Sequence, residues 1–408
     1  MSNLRKLFSV RNTYIGVGAA IMFQLIFFSV WLTAYKGVED RAEQLTVGWV
    51  NEDAAMGEEI YEMLRSTMPF QVTTYPTLEQ AKEKLNSRDI QMVIQLPDGF
   101  AQDLMEGSSP SILYWINSAT STSAKTIMEQ AANEISTGVN KQVFAGQVDA
   151  FSKQFGQQIH QLPVEGLVSA TLQEAVTSGL STISAEPVHS KINKLNDPGT
   201  FSANLVPLMV IISSFVGAMV MIMQVEEGAS GLTSVSKWGI FWSRQLLNIS
   251  VALVLPLLTI GLLNLFDVAV HESFGMVYLF QAVLYLTFLS FAQVFVYVFG
   301  NLGMVFNILS LSLQLVTSGV LVSKELLGDG YQTLAAFLPA TYAADGYFTI
   351  VFGGASGTLM QPIGALLLIL GITFVVAVFA IFIRKGRPEA AELNGEAVSD
   401  LSLSFEQE

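Results

Sequence analysis

The strongest constraint in this 408-residue sequence is a set of long apolar runs, most of which lie in its second half. A helix that crosses the hydrocarbon core of a bilayer needs about 20 apolar residues. Runs of this kind predict six membrane-spanning helices, at residues 13–35, 205–225, 242–266, 276–299, 304–322 and 363–383. A further apolar stretch, 332–353, is interrupted by Pro339 and Gly346 and is predicted to form a re-entrant helical hairpin.

The first run is too long for the core of a signal peptide, so it is predicted to remain as an uncleaved anchor. The sequence therefore predicts a polytopic α-helical membrane protein with an α/β extracytoplasmic domain inserted between helices 1 and 2. The predicted segments are an N-terminal cytoplasmic segment at 1–12, transmembrane helix 1 at 13–35 and the extracytoplasmic domain at 36–200. The membrane domain at 201–384, which includes the hairpin, and an acidic cytoplasmic tail at 385–408 follow.

Residues 36–200 alternate short strand and helix patterns, which indicates a small α/β module. Strands are predicted at 45–51, 70–75, 91–96, 111–117 and 187–195, and shorter helices at 55–68, 78–86 and 100–105. Thr77 is a predicted N-cap, with Gln80 three residues later in the position of a capping box. Apolar residues at i, i+4 spacing predict a long amphipathic helix over 122–160, and a second helix is predicted at 165–180, beyond Pro163.

The distribution of charge predicts the orientation of the helices. The net charge of −14 comes from residues 37–200, which carry −11, and from the part of the tail that begins at Glu389, which carries −6, whereas the remaining segments carry +3. Under the six-span arrangement Lys36 and Lys324 lie on one side of the membrane. All other basic residues outside the acidic segments lie on the opposite side, namely Arg5, Lys6, Arg11, Lys237, Arg244, Arg384, Lys385 and Arg387. The positive-inside rule then places both termini in the cytoplasm.

Composition excludes several kinds of chemistry. The absence of cysteine excludes disulfides, thiol nucleophiles and Cys-ligated metals, and the three histidines are far apart in the sequence. No phosphate-binding loop of the G-x-x-x-x-G-K-[ST] type occurs, so ATP hydrolysis by that route is excluded. An acidic chain is a poor candidate for binding nucleic acid or anionic lipid headgroups, because both favour clustered Lys and Arg. We therefore expect no catalytic residues, no metal, no cofactor and no nucleic-acid partner, and we expect that the chain is not an enzyme.

One candidate functional segment lies at the predicted cytoplasmic end of the second and third spans. The polar, glycine-containing stretch 224–232 is predicted to be a turn, and it can be either a solvated loop or a docking element for a cytoplasmic partner. In the second case carboxylates would receive basic residues of the partner and Trp238 would anchor it. The candidate docking residues are Glu226, Glu227, Gly228, Lys237, Trp238 and Arg244.

A second candidate is the hairpin, with Pro339, Tyr342, Asp345 and Gly346. A carboxylate at membrane depth is costly and is usually functional. A hairpin that reaches only partway into the membrane would leave Asp345 wet, so a structural or interfacial role is preferred over a proton or substrate role. The Phe-rich run at 276–299, with Tyr278, Tyr285 and Tyr297, is predicted to face lipid.

Several of these segments resemble the YhgE/Pip (phage infection protein) family. The similar segments are LTVGWVNED at 45–53, MVIQLPDGF at 92–100, YWINSA at 114–119, QLVTSG at 314–319 and LPATY at 338–342. The layout of one span, a large outer domain and five spans is similar to that of ABC-2-type exporter permeases. The resemblance implies that Glu226-Glu227-Gly228 stands where those permeases carry a loop that contacts a separate ATPase subunit.

The resemblance implies a permease subunit in the plasma membrane of a bacterium, surrounded by membrane lipid and acting as a homo- or heterodimer with separate ABC ATPase subunits. It would move an amphipathic or lipid-like compound out of the cell. The alternative is a non-transporting envelope protein that acts as a phage receptor or as a scaffold for secretion machinery. The sequence leaves open the substrate, the direction of transport and the identity of the dimer partner.

Overall fold

The computed structural model describes residues 21–22, 25–27, 29–38, 40–160, 186–197, 201–230, 235–354 and 359–383. Several predicted features lie outside these residues. They are the segments 1–12 and 385–408, residues 13–20, 23–24 and 28 of the first span, the helix at 165–180, and Arg384, Lys385 and Arg387. The strands are β1 (Thr46–Asn51), β2 (Gln71–Thr74), β3 (Met92–Leu96), β4 (Ser111–Asn117) and β5 (His189–Leu195). The helices are α1 (Leu25–Ala34), α2 (Gly57–Thr67), α3 (Leu78–Asn86), α4 (Phe100–Met105), α5 (Thr122–His160), α6 (Phe201–Ser230), α7 (Lys237–Leu265), α8 (Phe274–Phe299), α9 (Gly303–Thr317), α10 (Asp329–Ala335), α11 (Pro339–Phe352) and α12 (Met360–Ile383).

The chain divides into two compact units, which are described separately. The sheet unit is Gly37–Asp197, and the helical unit comprises Met1–Lys36 and Pro198–Glu408. In the sheet unit a five-stranded sheet has the order β2-β1-β3-β4-β5. β1 is parallel to both β2 and β3, β4 is antiparallel to β3, and β5 is parallel to β4. The predicted α/β character of this region is thereby confirmed.

The elements of the sheet unit form for the reasons that the sequence predicts. The side chain of Thr77 accepts a hydrogen bond from the backbone N–H of Gln80, so the predicted N-cap of α3 is confirmed. α5 runs through residues 122–160 as predicted. Its buried stripe includes Ala131, Ile135 and Val139, which cover the sheet, and the described side chains beyond Val143 are half-buried or exposed.

In the helical unit, four described helices are long and apolar enough to cross a membrane: α6, α7, α8 and α12. α9 is apolar but has only 15 residues, because the chain turns at Ser318-Gly319, where Gly319 has a φ of +80°. α11 has 14 residues and begins with Pro339, which suits the first turn of a helix because its missing N–H would be unpaired there. Six spans plus a hairpin therefore remain a prediction, while four candidate spans are observed.

The position of α8 corrects one prediction. The Phe-rich run was expected to face lipid, but α8 is the central helix of the unit and packs against α6, α7, α9, α11 and α12. Phe280 and Phe288 are fully buried, and Tyr285 and Tyr297 are nearly so. A helix with so high a share of apolar residues is suited both to lipid and to a protein interior, so its composition alone does not distinguish the two.

Candidate functional site

The junction between α6 and α7 differs from the predicted turn. α6 continues as a helix to Ser230, so Glu226, Glu227 and Gly228 lie in its last turns and the prediction of a turn over 224–232 is wrong for residues up to 230. Residues 231–234 lie outside the described part of the chain. α7 then begins at a defined cap, in which the Ser236 hydroxyl accepts a hydrogen bond from the backbone N–H of Gly239 at 3.1 Å.

Two of the predicted docking residues are paired with each other. Arg244 Nη1 lies 2.6 Å from Glu226 Oε2, and the two side chains are only 6% and 12% exposed. Arg244 Nη2 also donates to the backbone carbonyl of Val225 at 3.4 Å, and the guanidinium carbon lies 5.4 Å from the ring centroid of Tyr297 on α8. This pair therefore ties the end of α6 to α7 and α8 inside the helical unit.

The remaining docking candidates lie nearer the surface. Glu227 and Gly228 are exposed, one residue beyond the buried pair. Lys237 is half-buried, and its Nζ donates to the backbone carbonyl of Phe382 near the end of α12 at 3.4 Å. Trp238 is also half-buried and packs edge-to-face on Phe241 with 5.8 Å between the ring centroids.

The most exposed indole at this end of the described helices is a different one. Trp242 is 58% exposed, although its ring contacts that of Phe241. The sequence contains a signal for this exposure. Trp242 lies two residues before Arg244, and residues two apart on a helix do not share a face, so a buried Arg244 places Trp242 on a different face. The exposed residues among these are Glu227 and Gly228 at the end of α6 and Trp242 near the start of α7, and we call them the junction surface.

The second candidate, around α11, holds a more exposed ion pair. Lys324 Nζ lies 2.8 Å and 3.0 Å from the two carboxylate oxygens of Asp345, with side chains 31% and 36% exposed. Asp345 is thus partly exposed and paired with a lysine, and its structural or interfacial role stays a prediction. Tyr342 donates its hydroxyl proton to the Ala336 carbonyl at 2.9 Å, and this bond fixes the start of α11 against the end of α10.

Gly346 allows α11 to approach α8 closely. A Cβ atom at this position would lie 2.1 Å from Cζ of Phe280, a distance that no packing tolerates. The adjacent residue also contacts α8, since the Tyr347 hydroxyl donates a hydrogen bond to Gln281 Oε1 at 2.5 Å. Gln281 Nε2 in turn lies 3.3 Å from the hydroxyls of Ser214 on α6 and Thr259 on α7, so one buried amide joins four helices.

A buried polar stripe on α9 is a feature that the sequence analysis missed. Asn307, Ser310, Gln314 and Thr317 follow the three- and four-residue spacing of one helix face, and all four are buried. Gln314 Nε2 donates to Ser310 Oγ at 3.1 Å, and Thr341 of α11 donates to the Thr317 carbonyl at 3.4 Å. Among the described residues, Asn307 Oδ1 and Gln314 Oε1 accept no hydrogen bond. The spacing of these polar residues within an apolar run was the available signal.

In the sheet unit, the residues of the LTVGWVNED segment have structural partners. Asp53 is 4% exposed, and its Oδ1 accepts from the N–H groups of Ala55 and Met56 while its Oδ2 accepts from that of Ala101 at 3.0 Å. Burial acts to raise the pKa of Asp53, but the backbone N–H groups outweigh it and hold the pKa below its ordinary value. One carboxylate thus satisfies donors at the beginnings of both α2 and α4.

The YWINSA segment is built in the same way. Asn117 is 1% exposed, and its Nδ2 donates to the Leu85 carbonyl at 2.7 Å. Its Oδ1 accepts from the N–H of Ala119 and from the side-chain amide of Asn196. Asn117 therefore joins β4, α3 and the residue that follows β5. No group of three His, Asp or Glu side chains suited to a metal ion occurs among the described residues of either unit.

The comparisons with known proteins agree with the helical unit and with the resemblance of the sequence segments. The family model described as "ABC-2 family transporter protein" matches residues 17–379. The uncharacterized protein YhgE of Bacillus subtilis is 26% identical over 199 residues, which cover 48% of this chain and 25% of that protein. The match thus spans about a quarter of the length of this relative, and no solved structure matches. With a family model that covers most of its length and with apolar helices long enough to cross a membrane, this chain is a membrane protein that belongs to the ABC-2 family of transporter proteins.

Proposed function

We propose that this chain is the permease subunit of an exporter in the plasma membrane of a bacterium and that a separate ATPase subunit drives it. Membership of the ABC-2 transporter family supports the permease role. We further propose the full topology of six spans plus the hairpin at 332–353, with both termini in the cytoplasm. In this topology the domain at 36–200 lies outside the cell, and segments 1–12 and 385–408 lie inside. The distribution of basic residues supports this orientation.

The observation that carries the proposal is that two adjacent carboxylates, Glu226 and Glu227, differ in burial. Glu226 is paired with Arg244 and buried in the helical unit, whereas the adjacent Glu227 is exposed near the end of a long apolar helix. The end of α6 presents an exposed carboxylate and the start of α7 an exposed indole, and these two groups suit a basic, partly apolar groove on a partner. The proposed docking surface is therefore the junction surface of Glu227, Gly228 and Trp242, with Lys237 and Trp238 beside it and the buried pair behind it.

The proposed path of the substrate follows α9 and α11. The buried stripe of α9 contains amide oxygens without a hydrogen-bond donor among the described residues, namely those of Asn307 and Gln314. Such groups are costly in an apolar interior unless water or a ligand pairs with them. An amphipathic compound can supply donors to this stripe while its apolar part lies against the surrounding helices. We propose that two permease chains form the complete exporter, as a homo- or heterodimer.

The test is co-purification of the tagged full-length chain with an ATP-binding-cassette protein identified by mass spectrometry. Glu227→Lys should reduce the amount of this protein about tenfold or more, because juxtaposed like charges are strongly unfavourable at an interface. The matched control is Glu79→Lys, which changes an exposed carboxylate on α3 of the sheet unit. Equal recovery of the ATPase with both variants, or no ATPase with the unmodified chain, would refute the docking proposal.

A second candidate function is a non-transporting receptor or scaffold role for the sheet unit. It is favoured by the distal part of α5, where the apolar side chains of Phe144 and Val148 are 39% and 37% exposed. Replacing both with serine should abolish binding of such a phage or envelope partner and leave export intact. Unchanged binding would exclude this surface as the receptor.

A further inference from the structure

The hydrogen bonds of the α9 stripe are unevenly divided between donors and acceptors. Asn307 Nδ2 donates to the Ala292 carbonyl of α8 at 3.2 Å, and Gln314 Nε2 donates to Ser310 Oγ at 3.1 Å. The Thr317 hydroxyl donates to a backbone carbonyl of its own helix at 2.8 Å. In contrast, Asn307 Oδ1 and Gln314 Oε1 accept no hydrogen bond from the described residues. The stripe therefore lacks hydrogen-bond donors for two buried acceptors.

The Ala292 carbonyl fixes which end of the Asn307 side chain is unpaired. A carbonyl oxygen can only accept, so the amide nitrogen must face it and Oδ1 must be the end that has no partner. Both unpaired oxygens are also closed to solvent, so bulk water does not pair with them. A buried acceptor without a donor is costly, and a ligand that supplies a donor removes this cost.

The stripe disfavours a charged ligand group. α9 contains no charged residue, and the four residues of the stripe are each 4% exposed or less. A charged head group at this depth would be buried without an opposite charge beside it, which is strongly unfavourable. Neutral donors such as hydroxyl groups can pair with an amide oxygen without this penalty.

The spacing of the two oxygens favours an amphipathic compound. Gln314 lies seven residues after Asn307, which is about 10 Å along the helix axis. Leu311 lies between them on the same face, four residues after Asn307 and three before Gln314, and it is 6% exposed. Two polar positions separated by an apolar one suit a compound that has both a polar head and an apolar chain.

We propose that the α9 stripe binds a neutral amphiphile whose head group donates hydrogen bonds through hydroxyl groups, with Asn307 Oδ1 and Gln314 Oε1 as the acceptors. This inference rests on the proposed substrate path along α9 and names the class of compound that the path takes. Because both oxygens are enclosed, α9 must separate from a neighbouring helix for the compound to enter.

The experiment measures equilibrium binding of tritiated 1-lauroylglycerol to the purified full-length chain in nanodiscs, after subtraction of uptake by empty nanodiscs. The comparison compound is its 2,3-di-O-methyl ether, which keeps the acyl chain and the acceptor oxygens but has no O–H donor. The hydroxyl compound should bind at least about tenfold more tightly, because a site built to pair with a hydroxyl rejects an analogue that lacks it. Laurate and dodecyltrimethylammonium, which carry charged heads on chains of the same length, should compete no better than the ether.

Two variants remove the acceptors one at a time. Gln314→Met keeps a side chain of similar length, and Asn307→Leu also loses the bond to the Ala292 carbonyl. Each should weaken binding of 1-lauroylglycerol about threefold or more and leave binding of the ether unchanged or stronger. The Tm of each variant without ligand shows whether it is folded, and Gln314→Met keeps the test informative if Asn307→Leu is not.

The matched control is Ser312→Ala. Ser312 is also on α9 and fully buried, and its hydroxyl has no partner among the described residues. It lies two residues from both Ser310 and Gln314, so it is on a different face of the helix from the stripe. This variant should keep the full preference for the hydroxyl compound.

Three results would overturn the proposal. These are the absence of saturable binding of 1-lauroylglycerol to the unmodified chain, equal affinity for the two compounds, and a preference that persists in both stripe variants. Variants that weaken both compounds equally would refute the head-group assignment and leave the path along α9 in place. Loss of ATPase recovery with an intact hydroxyl preference would refute the docking proposal alone.

Discussion

The ion pair between Glu226 and Arg244 predicts a large loss of stability when either partner is removed. The charged atoms are 2.6 Å apart and both side chains are mostly buried. At an effective dielectric constant of about 20, the attraction at this distance is roughly 6 kcal/mol. Much of this energy offsets the desolvation of the two charges. Removal of one charge leaves the other buried without its partner, which costs about 3–5 kcal/mol.

The two single variants are expected to differ. Arg244→Met also loses the hydrogen bond to the Val225 carbonyl and the contact with the Tyr297 ring, whereas Glu226→Gln leaves both in place. Arg244→Met should therefore destabilise the helical unit more than Glu226→Gln does. A loss of about 3 kcal/mol in the free energy of unfolding corresponds to a fall in Tm of about 6 to 12 °C for a unit of this size. The double variant should be less destabilised than the sum of the singles, by about 2 kcal/mol.

The assay is thermal denaturation of the purified chain in detergent, followed by the fraction that remains monodisperse in size-exclusion chromatography. Glu227→Gln is the control, because it alters the adjacent exposed carboxylate and should change the stability by less than about 0.5 kcal/mol. Strictly additive losses in the double variant, or single variants as stable as the control, would show that the pair does not tie the helices together.

Three further predictions concern other contacts. Gly346→Ala should destabilise the helical unit by about 1–3 kcal/mol, because the new Cβ would lie 2.1 Å from the Phe280 ring, whereas Gly371→Ala, which meets open space, should be neutral or stabilising in the same denaturation assay. The stabilisation from Asp53, whose folded pKa is lowered, should be fully present above its unfolded pKa of about 3.9 and should be lost as the pH falls through the lower folded pKa. Hydrogen exchange of the α2 and α4 amides should follow this dependence in the unmodified chain and should lose it in Asp53→Asn. Lys324→Met should cost less than about 1 kcal/mol, because that ion pair is about a third exposed, and a larger loss in the denaturation assay would indicate a buried role.

The parts of the fold that could be predicted from the sequence are those with local signals. Spacing of apolar residues such as Ile135 and Val139 indicated α5, and the Thr77 side chain indicated where α3 begins. Composition also indicated the apolar runs. In contrast, α6 continues through Glu226 because its pairing with Arg244 compensates a charge that the sequence alone suggests should be in water.

The arrangement of the helices could not be predicted, because it depends on contacts between distant residues. α8 is mostly apolar, with four buried polar side chains, Gln281, Thr287, Ser290 and Gln293, and its overall composition does not distinguish a central helix from a lipid-facing one. The candidate docking residues were found as a group from their position in the chain, but their division into a buried pair and an exposed carboxylate depends on how α6 meets α7 and α8. The polar stripe of α9 could have been predicted, because its members follow the spacing of one helix face, although apolar residues lie between them in the sequence.

The most direct test of the proposed docking between the junction surface and an ATPase subunit uses the fact that the chain contains no cysteine. Glu227→Cys introduces a single thiol at the junction surface, and a thiol-specific photocrosslinker attached there can be activated in native membranes. The account predicts one dominant adduct, with an ATP-binding-cassette subunit identified by mass spectrometry, and no such adduct from Glu79→Cys. Labelling of Glu227→Cys by a membrane-impermeant maleimide from outside intact cells, or a crosslink that contains no ATPase, would contradict it.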